Sequence, residues 1–355
     1  MMNTLNLLQQ AIKLNASDIH ITVGSPVIFR VNGALIRIGD TKLFPEDTQK
    51  LCENVLNEEQ MEKLKSAGEV DLSISQAGLG RFRINAYKQR GVYGMALRVV
   101  SGRIPSMQEL RLPKAIEGLC GKKRGLILVT GPTGSGKSTT LASMVDHMNT
   151  HRNDHIITIE DPVEYMHRHN KSVINQREIG NDSKSFANAL RAALRQDPDT
   201  ILVGEMRDLE TIATAITAAE TGHLVMSTLH TLGSAKTVDR VIDVFPPHQQ
   251  QQVRVQLASV VEAVISQQIL PRADGKGRIA AFEVMIATPA VRNLIREGKT
   301  HQIQTLVQTG SKFGMQTMDD SLLDLYRERH ISKEILLRYA MDEPAVSKQV
   351  AMEVI

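Results

Sequence analysis

Residues 131–138 read Gly-Pro-Thr-Gly-Ser-Gly-Lys-Ser and match the pattern G-x-x-x-x-G-K-[ST] at every fixed position. The glycines of this pattern let the backbone curl, so that successive N–H groups face one anion. Lys137 is expected to reach the β- and γ-phosphates of a nucleotide, and the hydroxyl of Ser138 to bind Mg²⁺. The predicted contacts with ATP come from Gly131, Pro132, Thr133, Gly134, Ser135, Gly136, Lys137, Ser138 and Thr139.

The stretches around this loop indicate an α/β fold. An apolar run at 126–129 precedes the loop, and a helix-forming run at 139–147 follows it. Further short apolar runs, separated by helical stretches, lie at 156–159, 201–203 and 224–226. Runs of this kind are typical of parallel strands that are buried on both faces. The second half of the chain is therefore predicted to be a parallel sheet covered by helices.

Acidic residues follow two of these runs, at the sheet edge where open α/β sheets bind ligands. Glu160 and Glu164 come after the second run, and Gly204 and Glu205 come after the third. We assign Glu205 to orient and polarise the attacking water. Glu160 and Glu164 are candidates for positioning that water or the metal. The alternative is that these carboxylates are solvated acids at strand ends.

Histidines offer a second kind of candidate. His230 follows the run at 224–226 and is placed to sense the γ-phosphate, although a lone histidine is more often structural. His147, His151 and His155 recur every four residues, as metal ligands on one helix would. Asn153 and Asp154 indicate that this helix ends before His155, so we expect no metal there.

The first hundred residues read as a smaller α+β unit. Helical spacing is expected at 5–13 and 51–65, and strands at 18–23, 27–31, 34–38, 81–87 and 95–100, with an Asn32-Gly33 turn. A break at 101–105 marks a linker. The predicted domains are 1–100, a linker at 101–112, and 113–355, where a last helix begins after Ser332 as N-cap.

Arginines in the first unit form a group of their own. Arg81 and Arg83 alternate with apolar residues and therefore share one face of a strand, and Arg98 lies in the next strand. Arginines remote from the phosphate loop in sequence suit a finger supplied by a neighbouring subunit. The alternative is an exposed basic sheet face.

Composition limits the other functions. A net charge of +3, a single short basic run and 3% aromatic residues argue against nucleic acid as the partner. Cys52 and Cys120 lie far apart, which argues against a disulfide framework or a zinc site. No apolar run approaches the ~20 residues that span a bilayer, and no export signal is visible. We expect a cytoplasmic protein, and this location leaves docking onto a membrane complex open.

Together these residues resemble the type II/IV secretion ATPases, and most closely those that retract type IV pili. The resemblance covers nearly the whole chain and includes residues 16–20, 131–138, 159–165, 195–199, 203–208 and 221–231. In that family a glycine at the position of Gly204, instead of aspartate, is usual. The resemblance supports the roles given to Glu205, Glu160, Glu164 and His230, and it makes Arg83 and Arg98 reasonable fingers.

The resemblance also implies an architecture that periodicity alone does not show. It implies a PAS-like N-terminal domain, a RecA-like ATPase domain and a homohexameric ring. The partner it implies is a platform protein of the inner membrane, so that association with the membrane is peripheral.

Residues 288–297 separate retraction from assembly within that family. They resemble the AIRNLIRE motif of retraction ATPases, and Thr288 and Pro289 mark the start of a helix. An apolar face of Ala290, Val291 and Leu294 is expected, with Arg292, Arg296 and Glu297 outside. The motif residues are Ala290, Val291, Arg292, Asn293, Leu294, Ile295, Arg296 and Glu297. The alternative is an ordinary surface helix.

The expected function is a hexameric ATPase motor that retracts pili by depolymerising them. Assembly ATPases of that family usually carry four zinc-binding cysteines and a longer N-terminal region, and the sequence shows neither. An assembly or accessory motor remains the first alternative. A RecA-like nucleic-acid translocase and a nucleotide-gated interaction protein with negligible turnover are the others.

Overall fold

A computed structural model describes residues 4–31, 33–76, 78–100 and 102–353. The chain divides into two units, one made of Met1–Arg103 with Glu164–Met166, the other of Ile104–Val163 with His167–Ile355. The predicted turn residue Asn32 and the first linker residue, Ser101, lie outside the described residues. None of the helices in the described ranges is long and apolar enough to cross a membrane.

The first unit is a six-stranded sheet in the order β3-β2-β1-β6-β5-β4, all neighbours antiparallel, with three helices. Its elements are α1 (Thr4–Lys13), β1 (Ala16–Ile21), β2 (Val27–Val31), β3 (Ala34–Ile38), α2 (Pro45–Glu53), α3 (Glu58–Ala67), β4 (Glu69–Gln76), β5 (Gly80–Gln89) and β6 (Val92–Val100). Alternate strand residues such as Phe29, Phe82 and Leu97 fill its core. This is the α+β architecture expected for the first hundred residues.

Two details of this unit differ from the sequence expectation. The helical spacing expected at 51–65 misses a break, because a new helix begins after Asn57. The Asn57 side chain accepts from the N–H of Gln60, at 2.8 Å, and the Gln60 side chain accepts from the N–H of Asn57, at 3.0 Å. This reciprocal capping starts α3 and separates it from α2. The strand β4 was not predicted.

The second unit is a seven-stranded sheet in the order β13-β12-β7-β11-β10-β8-β9, parallel except for the β12–β13 pair. Its elements are α4 (Lys114–Cys120), β7 (Gly125–Thr130), α5 (Lys137–His151), β8 (His155–Glu160), β9 (Val173–Glu178), α6 (Phe186–Ala193), β10 (Thr200–Val203), α7 (Leu209–Glu220), β11 (Leu224–Leu229), α8 (Ser234–Asp243), α9 (Pro247–Val260), β12 (Val261–Pro271), β13 (Arg278–Ile286), α10 (Pro289–Arg296), α11 (Ile303–Gln308), α12 (Met318–Arg327), α13 (Lys333–Tyr339) and α14 (Glu343–Glu353). The α/β prediction is confirmed.

The central strands are buried on both faces, as the apolar runs predict. In β7, Leu126 and Leu128 enter the core on one face, while Ile127 and Val129 enter the core on the other. Each such side chain contributes about 1.5–3 kcal/mol of hydrophobic free energy. The sheet is therefore the rigid part of this unit, and the loops at its carboxyl edge are held by it.

Two expectations for helices have definite outcomes. Ser332 caps α13 as predicted, with its Oγ accepting from the N–H of Ile335 at 3.2 Å. This helix is not the last one, however, because α14 follows it. The helix α5 ends at His151 and His155 begins β8, so the three spaced histidines do not share a helix.

Candidate nucleotide site

The phosphate loop connects β7 to α5, and its backbone path requires glycine at its first position. Gly131 has φ +139°, and a Cβ there would lie 2.3 Å from the carbonyl oxygen of Gln267 and 2.7 Å from Ser135 Oγ. Any other residue would collide with the backbone of β12. The loop therefore passes close to the sheet before it turns into α5.

Lys137 begins α5 and is buried. Its ammonium donates to the carbonyl oxygens of Gly131, at 2.8 Å, and Pro132, at 3.1 Å. Within the described residues, the buried hydroxyl of Ser135 has no hydrogen-bond partner. A chain of phosphates requires a curled loop, the positive end of a helix, an ammonium group and a hydroxyl. The loop, α5, Lys137 and Ser135 supply these features, so the residues present fit a nucleotide.

Gln267 on β12 supports the loop from beneath and was missed by the sequence reasoning. Its side-chain amide donates to the carbonyl oxygen of Ser135, and its oxygen accepts from Thr140 Oγ1 at 2.9 Å. The side chain is fully buried, with 1% exposure. Buried polar groups are almost always paired, but β12 was not predicted as a strand, so no local pattern in the sequence identified Gln267 as buried.

A cavity of about 480 Å³ adjoins the loop within the second unit. It lies beside the first turn of α5, at Gly136 and Thr139, and its apolar walls include Leu110, Ile269 and Phe282. Charged residues also line it, among them Glu109, Arg111, Arg272 and Arg278. A cavity of this size accommodates a small ligand. Its position next to the phosphate loop suits the nucleoside of a bound nucleotide.

His230 brings together the loop and the predicted catalytic acid. Because β10 and β11 are neighbouring parallel strands, the residues that follow them lie side by side at the carboxyl edge. Nδ1 of His230 lies 3.3 Å from Thr133 Oγ1, and its Nε2 lies 3.1 Å from Glu205 Oε1. The imidazole thus bridges the phosphate loop and Glu205.

Glu205 is held in its ionised form by two neighbours. Partial burial raises the pKa of this carboxyl, but the hydrogen bond from Arg207 and the charges of His230 and Arg207 outweigh burial and lower the pKa from its ordinary value. Arg207 Nε lies 2.7 Å from Glu205 Oε1, although the arginine side chain is 76% exposed. Arg207 was not assigned a role from sequence. A carboxylate with a lowered pKa is a weak base, and it is suited to orienting a water molecule.

Glu160 lies at the end of β8, beside Gly204. Its Oε1 accepts from Thr158 Oγ1, at 2.7 Å, and from the side-chain amide of Gln176, at 3.2 Å. The N–H of Gly204 donates to the carbonyl oxygen of Ile159 at 2.7 Å. A Cβ at Gly204 would lie 3.2 Å from that oxygen and 3.3 Å from the Cα of Glu160, so the aspartate usual in phosphate-loop enzymes would require the neighbouring backbone to shift.

The remaining predicted catalytic residues lie in the first unit. Glu164 groups with that unit, together with Tyr165 and Met166. Arg83 and Arg98 are brought together as directly opposite residues of β5 and β6. Arg98 also pairs with Asp18, Nε to Oδ1 at 3.0 Å. Burial raises the pKa of Asp18, but the bonds from Ser17 and Arg98 lower it by more, so the carboxylate is ionised.

The helix α10 holds the 290–297 motif, and its predicted start is confirmed. Thr288 is the N-cap, and Pro289 occupies the first turn. The buried face consists of Val291 and Ile295, four residues apart. Leu294 is half-buried, and Ala290 is exposed. The expected apolar face of Ala290, Val291 and Leu294 is therefore wrong for Ala290.

Arg292 is a second correction, because it was expected on the outer surface and its side chain is only 22% exposed. Its guanidinium donates to the carbonyl oxygens of Ala287, Ala258 and Ser259 at 2.8–3.0 Å, and to Glu262 at 2.7 Å. The last carbonyls of a helix lack partners within it, and Arg292 satisfies two of them at the end of α9. The motif residues Asn293, Arg296 and Glu297 are exposed.

Comparison with known proteins gives a consistent result. The profile of the type II/IV secretion system protein family matches residues 2–276. The chain is 46% identical to the type IV pilus retraction ATPase PilT of Pseudomonas aeruginosa over 333 residues, which cover 94% of this chain and 96% of that protein. It is 41% identical to the type IV pilus ATPase PilU of the same organism, over 94% of this chain and 87% of that protein.

A solved structure extends the similarity to three dimensions. The crystal structure of the pilus retraction motor PilT with bound ADP superimposes with a TM-score of 0.92 at 49% sequence identity. The superposition covers 98% of this chain and 100% of that chain. Both units described above therefore have counterparts in one known architecture.

Proposed function

This chain belongs to the type II/IV secretion system protein family, and on that basis we propose that it is the ATPase motor that retracts type IV pili. It hydrolyses ATP to ADP and phosphate. The observation that most supports this proposal is the Thr133–His230–Glu205 contact, in a chain that resembles a pilus retraction ATPase over 94% of its length. This contact joins nucleotide binding to the acid that acts on water.

We propose the following roles for the residues of the site. The loop N–H groups and Lys137 hold the β- and γ-phosphates. When Mg²⁺ is bound at Ser138, it neutralises charge on these phosphates. Glu205 orients the attacking water, since its lowered pKa keeps it ionised as an acceptor. Glu160 and Glu164 position the water, and His230 reports on the γ-phosphate through Thr133 and Glu205.

Hydrolysis is tested by replacing the acid without changing its shape. Glu205→Gln is expected to lower the turnover number by about a hundredfold or more, because the uncharged amide is a weaker hydrogen-bond acceptor than the carboxylate and orients the water poorly. Glu220→Gln, an exposed acid at the end of α7, serves as the matched control and keeps wild-type turnover. Unchanged turnover in Glu205→Gln contradicts the catalytic assignment.

We further propose that the protein acts as a homohexamer and that Arg83 and Arg98 neutralise transition-state charge in a neighbouring subunit. The support is that these arginines are opposite one another on β5 and β6, in a unit separate from the phosphate loop. Arg83→Ala subunits mixed with Glu205→Gln subunits should regain activity, because some interfaces then combine an intact arginine with an intact acid. The control is Arg37→Ala, which removes an arginine of β3 that has no proposed role in hydrolysis. Absence of rescue at every mixing ratio contradicts action in trans.

The partner proposed for the motor is a platform protein of the inner membrane, contacted from the cytoplasmic side. The similarity to PilT favours retraction, and the 41% identity with PilU keeps an accessory motor as the second candidate. Deleting the gene distinguishes them: pili that persist without retracting support retraction as the main function. Loss of pili supports assembly, and normal retraction supports an accessory role.

A further inference from the structure

A buried carboxylate outside the nucleotide site holds the helix that follows His230. Glu283 lies on β13 with 2% exposure. Its Oε1 accepts from the backbone N–H of Ser234, at 2.7 Å, and from Ser234 Oγ, also at 2.7 Å. Ser234 is the first residue of α8 and is fully buried. The carboxylate therefore faces the positive end of this helix, where a negative charge is stabilised.

Ser266 supplies a second contact of the same kind. It is the direct cross-strand neighbour of Glu283, on β12, so the two side chains point to the same face of the sheet. Ser266 Oγ accepts from the N–H of Gly233, the N-cap of α8, at 2.9 Å. Because the N-cap of α8 is a glycine, it has no side chain that could cap the helix. The sheet itself thus caps α8.

This cap lies three residues from His230 along the chain. His230 follows β11, and the chain reaches Gly233 through Thr231 and Leu232. Thr231 Oγ1 is bonded to Thr237 Oγ1, at 2.7 Å, within α8. The segment from His230 to Ser234 is therefore fixed at one end by β11 and at the other by Ser266 and Glu283.

We infer that Glu283 is a positioning residue for His230, acting through the N-terminus of α8. A carboxylate is costly to bury unless N–H groups compensate it, so its presence here points to a loop that must be held firmly. The contacts of His230 with Thr133 Oγ1 and Glu205 Oε1 depend on that loop, because only residues 231–233 separate the histidine from the start of α8. This inference rests on the proposed function.

The test combines two substitutions in the full-length chain. Glu283→Gln keeps the shape but removes the charge, and we expect kcat for ATP to fall about ten- to a hundredfold. KM should change little, because the phosphate loop is untouched. In a His230→Ala background the same substitution should have no further effect on kcat, because the positioned side chain is already gone.

Asp320→Asn is the matched control. Asp320 also accepts from a helix N-cap, through Thr317 Oγ1 at 2.6 Å, but it serves α12. The Asp320→Asn variant should be less stable than the wild type but should keep the same kcat. If Glu283→Gln does not fold, Ser266→Ala and Ser234→Ala each remove one contact and should lower kcat with the same dependence on His230.

The outcomes separate this inference from the proposed function. An equal loss of kcat in the wild-type and His230→Ala backgrounds overturns the positioning role and leaves Glu283 as a structural residue. Unchanged kcat in all three variants overturns it as well. Absence of hydrolysis in the wild type, measured in the same series, contradicts the proposed function instead.

Discussion

The imidazole Nε2 of His230 lies 3.1 Å from Glu205 Oε1, so the residues that follow two neighbouring strands are joined by one contact. The other ring nitrogen reaches Thr133, and the phosphate loop is thereby included. In the role proposed for His230, this single ring connects the γ-phosphate side of the loop to Glu205. Because the sheet is rigid and the loops are short, the geometry of hydrolysis depends on how each loop is braced.

Arg207 is predicted to set the acid side of the pH profile. The pKa of the Glu205 carboxyl is lowered from its ordinary value, partly through Arg207, so the ionised form contributes stability above the pKa of the unfolded chain. That contribution is lost as the pH falls through the folded-state pKa. In Arg207→Ala the pKa should rise, and the acid limb of kcat/KM against pH should move to higher pH.

The shift should be modest, because Arg207 is 76% exposed and its charge is screened by solvent. Arg191→Ala, which breaks an exposed pair with Glu210, is the control and should leave the profile in place. A profile for Arg207→Ala identical to that of the wild type would show that His230 alone sets the charge state of Glu205.

Gln267 is predicted to determine nucleotide affinity. Replacing it with alanine leaves the carbonyl of Ser135 and the hydroxyl of Thr140 without their buried partner, at a cost of about 1–3 kcal/mol. The affinity for Mg-ADP, measured by calorimetry, should fall about tenfold as the loop loosens. Gln268→Ala is the control on the same strand, since Gln268 Nε2 has no partner in the described residues. Equal affinities in both variants contradict the bracing role.

Gly204 is predicted to reject the aspartate that other phosphate-loop enzymes place there. A side chain at this position meets the carbonyl of Ile159 and the Cα of Glu160 at 3.2–3.3 Å, and the neighbouring backbone must give way. Gly204→Asp should lower the free energy of unfolding by about 1–3 kcal/mol, measured in urea. Gly118→Ala is the control, since an added Cβ has nothing within 4 Å. Wild-type stability in Gly204→Asp would show that the backbone of β8 shifts to accommodate the side chain without a measurable cost in stability.

The sequence was most informative where local pattern decides structure. The glycine spacing of the loop, the apolar runs of the central strands and the caps at Thr288 and Ser332 are all readable from neighbouring residues. The reciprocal cap that separates α2 from α3 is equally local, and Asn57 with Gln60 could have revealed it. The error there came from following apolar spacing alone.

The bracing contacts were not predictable, because they join residues far apart in the chain. Gln267 meets Ser135 across 132 positions, and Glu283 meets Ser234 across 49. Which buried polar side chain meets which backbone group depends on strand order, and β12 and β13 were not predicted as strands. Arg292 shows the same limit. Helical spacing placed it on the outer surface, whereas hydrogen bonds to the carbonyl oxygens at the end of α9 hold its side chain in a partly buried position.

Arg292 and Arg296 are predicted to have different roles within one helix. Arg292→Ala should lower the free energy of unfolding by about 2–3 kcal/mol, because it leaves Glu262 and the last carbonyls of α9 short of donors. Arg296→Ala should leave stability unchanged, since that side chain is exposed. Urea unfolding of the two purified variants measures this difference. Twitching assays of the same variants then show whether Arg296 contributes to retraction through its exposed surface, and equal losses of stability in both would contradict the division of roles.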